Sequence, residues 1–175
     1  MIKPDGVERK LIGEIIKRIE ESELKIVAMK MKKTTKEFAE KFYPSSEEWF
    51  KNVGTRAKEA FEKQGLDVKK YYGTDVPVKM GKVVKEWLVD FISSGPVVAM
   101  IVEGESAVDK IRKLCGHTFP DLADRGTIRG DFGKDTVEKA NSEGRSIRNL
   151  VHSSGSREEA EREIDLWFKH TETFE

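Results

Sequence analysis

The order of apolar patterns along the chain predicts an α/β sandwich of ferredoxin-like, split β-α-β architecture, with helices packed on a four-stranded antiparallel sheet. Apolar residues recur at helical spacing over residues 11–22 and 83–92. The continuous apolar run at 97–102 has the length of a strand that is covered on both faces. A chain of 175 residues suits one hydrophobic core. We therefore expect a single domain over 1–175, with an inserted subregion at about 45–85.

The composition limits the classes of partner. Lysine plus arginine (32) equals aspartate plus glutamate (32), so no net charge draws the chain to nucleic acid or to a membrane surface. No apolar run approaches the ~20 residues that span a bilayer. The one cysteine, Cys115, fits a reducing compartment. These observations favour a soluble cytoplasmic protein without a membrane partner, and they make a nucleic-acid partner unlikely.

The first half of the chain predicts two strands and two helices before the inserted subregion. Residues 1–7 read as the end of a strand entering a turn, with Lys3 at the mouth of that strand. The helix at 11–22 precedes a half-buried strand at 24–31. Capping boxes at Thr34/Glu37 and Ser45/Glu48 then predict two helix starts, with Pro44 between them.

The second half predicts the remaining strands and the loop that carries chemistry. The helix at 83–92 and the central strand lead to a helix that starts at Ser106 and ends at Gly116. An irregular loop follows, in which an arginine stands among glycines that let backbone approach a ligand. We expect a short helix at 135–140 and the last strand at 147–152. A capping box at Ser156/Glu159 starts the final helix.

The sequence lacks the common glycine-rich phosphate loops, so any phosphate site must be built from separate cations. Three histidines and one cysteine at scattered positions make a structural metal site improbable. Polar side chains at element ends could converge on a phosphate chain. These residues are Lys3, Arg112, Thr118, Arg129, Asn149 and His152. Each cation taken alone reads as a solvated surface charge.

His152 is the candidate reactive group because it stands at a predicted strand end, beside hydroxyl side chains and a helix start. Imidazole has the unperturbed pKa closest to neutrality, so it could act as a nucleophile or a base. The alternative from this segment alone is a structural histidine whose hydrogen bonds are satisfied.

Four separated motifs resemble those of the nucleoside diphosphate kinase family. They are Ile2-Lys3-Pro4-Asp5-Gly6-Val7, Ser94-Gly95-Pro96-Val97-Val98-Ala99-Met100, Gly126-Thr127-Ile128-Arg129-Gly130-Asp131-Phe132 and Asn149-Leu150-Val151-His152. The resemblance implies reversible transfer of the γ-phosphoryl group of a nucleoside triphosphate, such as ATP, to a nucleoside diphosphate through a phosphohistidine. It also implies Mg²⁺ carried by the nucleotide and assembly into a homo-oligomer, a tetramer or a hexamer.

The resemblance implies a role for each candidate residue. His152 is the expected nucleophile, and Glu163 orients its ring through the other nitrogen. Lys3, Arg112 and Arg129 match phosphate-binding cations. Thr118 matches a hydroxyl donor to phosphate, Asn149 a contact to sugar and phosphate, and Tyr43 part of the nucleotide site.

The chain departs from the family pattern near the base and near the histidine. The phenylalanine that should follow Tyr43 falls on Val84, after some three dozen extra residues, so base stacking passes to another aromatic or is lost. The candidates are Tyr71, Tyr72 and Trp87. A second insertion covers about 134–147, and Ser153 and Gly155 replace the usual glycine and aspartate. These changes leave a nucleotide-binding regulatory homologue with little turnover as the alternative function, and zero net charge disfavours a nucleic-acid-binding module.

Overall fold

The computed structural model describes residues 1–63, 65–169 and 172, which form two compact units. The first unit combines Met1–Lys33, Gly95–Lys134 and Arg148–Glu175. The second combines Thr34–Ser94 and Asp135–Ile147, so the expected insertion at 45–85 lies within it. The single domain over 1–175 stays a prediction.

A two-stranded antiparallel sheet lies in the first unit. Strand β1 (Lys25–Lys33) pairs with β2 (Pro96–Glu103), from Lys25 opposite Glu103 to Lys33 opposite Pro96, with a register shift between Ile26 and Ala28. The pairing confirms both predicted strands. Three consecutive residues of β2 are buried, as its apolar run predicts.

The predicted four-stranded sheet is not confirmed, because only two strands are regular among the described residues. The first and last segments reduce to isolated antiparallel bridges from Ile2 to Val98 and to Val151. Pro4 begins a helix only two residues after Ile2, because the proline ring fixes φ at a value that suits the first turn of a helix. Leu150 has a φ of +68°, which interrupts an extended strand before it can lengthen.

Five helices accompany this sheet in the described part of the first unit. They are α1 (Pro4–Glu8), α2 (Ile12–Glu20), α7 (Ala107–Cys115), α8 (Ile128–Phe132) and α10 (Arg157–Trp167), with a 3-10 turn at Pro120–Leu122. The core of the unit joins Ile2 and Leu150, neither exposed, to Ile15 and Ile128 from α2 and α8. The buried side chains of Ile2 and Leu150 therefore anchor the segments that carry Lys3 and His152.

The second unit is helical in its described part. Its elements are α3 (Lys36–Phe42), α4 (Glu47–Lys63), α5 (Val68–Tyr72), α6 (Pro77–Ser93) and α9 (Val137–Ser142). The two long helices α4 and α6 pack along each other. The helix predicted at 83–92 is confirmed and begins earlier, at Pro77.

Several predicted helix boundaries need correction. Thr35 caps α3 by accepting from Phe38 N, while Thr34 donates to Ile92 O. Ser46, not Ser45, accepts from Trp49 N at the start of α4. The predicted loop after Gly116 contains α8, capped by Thr127. Ser156 caps α10 as predicted. Within the described residues, no helix is long and apolar enough to cross a membrane.

Candidate active site

His152 and Glu163 meet in the first unit, where the chain leaves Val151 and returns as α10. His152 Nε2 lies 2.9 Å from both Glu163 Oε1 and Glu163 Oε2. The two side chains are 19% and 8% exposed. Ser154 Oγ donates to Glu163 Oε2 at 2.7 Å. Because a carboxylate accepts hydrogen bonds, this contact favours the tautomer with hydrogen on Nε2 and a lone pair on Nδ1.

The electrostatics of this pair favour a neutral imidazole. Burial lowers the pKa of His152, and it outweighs the opposing effect of Glu163. Burial alone would raise the pKa of Glu163, but the hydrogen bonds from His152 and Ser154 hold that pKa below its usual value. A neutral ring beside an ionised carboxylate can attack an electrophile without first losing a proton.

Lys3 and Asn149 form a buried polar pair beside the segment that carries His152. Lys3 Nζ donates to Asn149 Oδ1 at 2.7 Å, and Asn149 Nδ2 donates to Thr118 O at 2.8 Å. Lys3 is 5% exposed and Asn149 3%. Burial, reinforced by the charge of Arg129, lowers the pKa of Lys3 to about 8. Thr118 meets Asn149 through its carbonyl group.

Arg129 holds backbone in this structure. Its guanidinium donates from Nε to Asn149 O at 3.1 Å, from Nη1 to Gly116 O at 2.7 Å and from Nη2 to Val151 O at 2.9 Å. Burial lowers the pKa of Arg129. The irregular loop predicted around Arg129 is wrong, because Arg129 lies within α8, where a Cβ at Gly130 would come 2.0 Å from Asp124 O.

Arg112, on α7, reaches the turn that precedes α10. Its Nη1 donates to Gly155 O at 2.9 Å, and Glu159 Oε2 accepts from Gly155 N at 2.6 Å. A Cβ at residue 155 would lie 2.7 Å from Glu159 Oε2. The absence of a side chain at Gly155 thus leaves room for the Glu159 carboxylate.

Tyr43 and the candidate aromatics lie in the second unit. Tyr43 ends α3, and its ring contacts those of Phe42 and Trp49. Tyr71 and Tyr72 both pack edge-on against Phe61, and Tyr72 also contacts Trp87. These aromatics are part of the interior contacts of their own unit. Their nucleotide-binding roles stay predictions, as do the roles of the residues in the first unit.

Sequence patterns did not predict the contacts of two residues near His152. Ser154 was noted only as a neighbouring hydroxyl, yet it binds Glu163. Asp5 was read as a turn former, yet its Oδ2 accepts from Leu150 N at 3.0 Å. The signal for Ser154 was its place two residues after His152, whereas local sequence gave no signal for the pairing of Asp5.

One group of potential metal ligands occurs among the described residues. Ligand atoms of His152, Glu159 and Glu163 lie within 4.8 Å of one another. Two carboxylates and an imidazole differ from the all-oxygen ligands that Mg²⁺ prefers. A metal ion held by this set would also occupy the imidazole of His152, which is the candidate nucleophile.

Comparisons with known proteins match the whole chain. The family model described as nucleoside diphosphate kinase matches residues 1–55 and 52–173. A nucleoside diphosphate kinase from Pyrobaculum aerophilum is 49% identical over 175 residues, covering 100% of this chain and 96% of the relative. A crystal structure of an NDP kinase from that organism has a TM-score of 0.95 at 48% identity, covering 99% of this chain and 96% of the other.

A second solved structure carries ligands. It is a transition state mimic of nucleoside-diphosphate kinase from Borrelia burgdorferi with bound vanadate and ADP. Its TM-score is 0.79 at 36% identity, and the match covers 99% of this chain and 87% of the other. With a family model over nearly all of its residues and a relative at 49% identity, the chain belongs to the nucleoside diphosphate kinase family.

Proposed function

We propose that this protein is a nucleoside diphosphate kinase that transfers the γ-phosphoryl group of a nucleoside triphosphate to a nucleoside diphosphate through His152. The observation that carries the proposal is the contact of His152 Nε2 with the Glu163 carboxylate at 2.9 Å, in a chain of this family. That contact leaves the reactive lone pair on Nδ1.

In the first half-reaction, His152 Nδ1 attacks the γ-phosphorus in line. A nitrogen–phosphorus bond forms while the bond from the γ-phosphorus to the bridging oxygen breaks, and the nucleoside diphosphate leaves with those electrons. Glu163 stabilises the positive charge that develops on the ring, because it accepts the hydrogen bond from Nε2. The second half-reaction reverses these bond changes, with another nucleoside diphosphate as the acceptor.

Cations near the segment that carries His152 would offset the charge of the phosphates. Lys3 is placed by Asn149, and Arg112 by the Gly155 carbonyl. Arg129 uses three of its N–H groups on backbone carbonyls, so we propose that it orders the Asn149–Val151 segment as well as contributing charge. Thr118 and Tyr43 are proposed contacts to the nucleotide.

We further propose that Mg²⁺ reaches the site on the phosphate oxygens of the nucleotide. Bound there, the ion would neutralise charge on the phosphate chain. Protein side chains hold the imidazole and the cations in place. Assembly into a homo-oligomer and a cytoplasmic location are proposals that follow from membership of the family and from the single cysteine.

The test is to incubate the protein with γ-labelled ATP, separate it on a denaturing gel, and then chase with GDP or CDP. We expect a label that is labile in acid, stable in alkali and transferred to the added diphosphate. His152→Ala should lose the label. His117→Gln and His170→Gln, which replace the other two histidines, serve as matched controls and should keep it.

Label that persists in His152→Ala would overturn the assignment of the nucleophile. Tight ATP binding with no label in the unaltered protein would point instead to the regulatory homologue. Circular dichroism of each variant separates loss of chemistry from loss of folding.

A further inference from the structure

The backbone immediately before His152 is strained. Leu150 has a φ of +68°, a left-handed value that a branched side chain rarely adopts. Val151 N donates to Asn149 O at 2.8 Å, which closes a three-residue γ-turn around Leu150. Turns of this kind with positive φ are rare, and such strain persists only where surrounding contacts impose it.

Asp5 supplies one of those contacts from α1. Its Oδ2 accepts from Leu150 N at 3.0 Å, and the backbone N–H of Lys3 donates to Leu150 O at 2.8 Å. The backbone N–H and C=O of Leu150 are therefore both bound by the segment at residues 3–5, which includes Lys3. Asp5 is 4% exposed, so its carboxylate lies away from bulk water.

An acidic residue in the first turn favours α1, but it has that effect when exposed, so the stability of α1 does not explain why this carboxylate is buried. Lys3 occupies the N-cap position, and no side chain caps the helix. Asp5 Oδ1 makes no hydrogen bond to a described residue. A buried carboxylate with an unsatisfied oxygen is costly, and burial raises the pKa of Asp5 against the opposing charge of Lys3.

The residues on either side of the strained peptide belong to the candidate site. Asn149 precedes it and binds Lys3 Nζ, and His152 follows Val151 and binds Glu163. A change in the φ of Leu150 would rotate these two groups relative to each other. Arg129 binds the carbonyls of Asn149 and Val151, whereas Asp5 binds the N–H of Leu150, so the two side chains hold different groups of the turn.

We propose that Asp5 is a positioning residue for phosphoryl transfer, which holds the left-handed Leu150 peptide so that Asn149 and His152 keep their orientations. The carboxylate acts as a hydrogen-bond acceptor rather than as a charge. The proposal rests on the proposed function for its kinetic consequence, whereas its structural consequence can be measured without any turnover.

The experiment compares Asp5→Ala, which removes the acceptor, with Asp5→Asn, which keeps an acceptor oxygen and removes the charge. Single-turnover phosphorylation by γ-labelled ATP is measured per folded molecule as a function of pH, and crystal structures of both variants are determined. Ile19→Val, in the core of the same unit, is the control for a general loss of stability.

For Asp5→Ala we expect a rate lower by about 10-fold to 100-fold, because small displacements of a reacting group have effects of that size. Its pH profile should shift, since the contact of His152 with Glu163 changes. Asp5→Asn should restore the rate to within about threefold of the unaltered protein, a difference near the resolution of such kinetics. Ile19→Val should lower the unfolding temperature while keeping rate and profile.

The crystal structures decide the matter independently of activity. We expect Leu150 to leave its φ of +68° in Asp5→Ala and the 2.9 Å contact between His152 and Glu163 to change. An unchanged turn and contact would overturn the proposal, as would an Asp5→Asn rate as low as that of Asp5→Ala. If Asp5→Ala does not fold, Asp5→Glu, which displaces the carboxylate by one methylene, takes its place with the same expectations. Absence of label in the unaltered protein would refute the proposed function alone.

Discussion

Lys3 is a buried cation whose charge is poised near the pH at which the protein would work. Lys3 is 5% exposed, and its ammonium group donates a hydrogen bond to the neutral amide of Asn149. Burial and the charge of Arg129 bring its pKa down to about 8. In the absence of phosphate, a lysine of this kind loses its proton at a pH where an exposed lysine would stay charged.

We predict that kcat/KM for ATP falls as the pH rises above about 8, because the free protein then loses the Lys3 charge. It should also fall in acid, where His152 is protonated, and the lowered pKa of His152 places that limb below its usual value. Lys3→Arg should remove the alkaline limb, since a guanidinium stays charged. The measurement is kcat/KM from pH ~5 to ~10, and an identical alkaline limb in Lys3→Arg would exclude Lys3 as its source.

The family resemblance predicted one side-chain contact that the structure contains, although the catalytic roles of the two residues stay predictions. The pairing of His152 with Glu163, eleven positions apart, was expected from resemblance and is present at 2.9 Å. The pairing of Asp5 with Leu150 spans 145 positions and involves a backbone N–H, which any residue but proline offers. No side-chain pattern could therefore identify it. The same applies to Arg129, whose partners are three carbonyl groups.

Among the helices, α4 and α6 approach each other at two glycines. A Cβ at Gly54 would lie 1.8 Å from Pro77 O, and one at Gly81 would lie 2.0 Å from Phe50 O. Both distances join the added carbon to backbone, which cannot swing aside as a side chain can. Close contact between these helices therefore requires glycine at both positions.

We predict that Gly54→Ala lowers the free energy of unfolding by about 1–3 kcal/mol, the usual cost of overpacking a core. Gly13→Ala is the control, because Gly13 is exposed on α2 and nothing lies within 4 Å of its added Cβ. Alanine there should be neutral or stabilising by up to about 1 kcal/mol. Thermal and urea unfolding measure both. If Gly54→Ala and Gly13→Ala were equally stable, α4 and α6 would move apart to accommodate the added methyl group without cost.

Element boundaries show which local signals can be read from sequence. Ser156 and Glu159 gave the start of α10 correctly, since one hydroxyl stood at the right place. At α3, two adjacent threonines competed, and Thr34 instead donates to Ile92 O, a partner 58 positions away. Tertiary contact decided that boundary. At the first and last predicted strands, Pro4 and the left-handed Leu150 limited regular pairing to single bridges.

At the scale of the whole molecule, membership of the family followed from four short motifs, whereas the division into two compact units did not. The motifs lie in Met1–Lys33, Gly95–Lys134 and Arg148–Glu175, with only Ser94 outside. Apart from Ser94 and Tyr43, the family resemblance assigned no residue of the second unit. Their helical patterns predicted helices, but pattern alone cannot tell which helices share a core.

The proposed homo-oligomer makes a prediction about β1. This strand pairs with β2 on one side only within the described residues, and Met29 and Met31 on it are 53% and 57% exposed. Unpaired strand edges with exposed apolar side chains favour association with another chain. We therefore expect a second copy to cover this strand.

Replacing Met29 and Met31 together by lysine should weaken self-association, since two charges would have to be buried at the contact. Light scattering after size exclusion should give a multiple of 19.9 kDa for the unaltered protein and a smaller multiple for the variant at equal concentration. Lys17→Ala, which removes an exposed side chain of α2, is a control that should keep the original mass. If the double variant retains that mass while folded, assembly uses another surface, and the exposed methionines of β1 have no part in it.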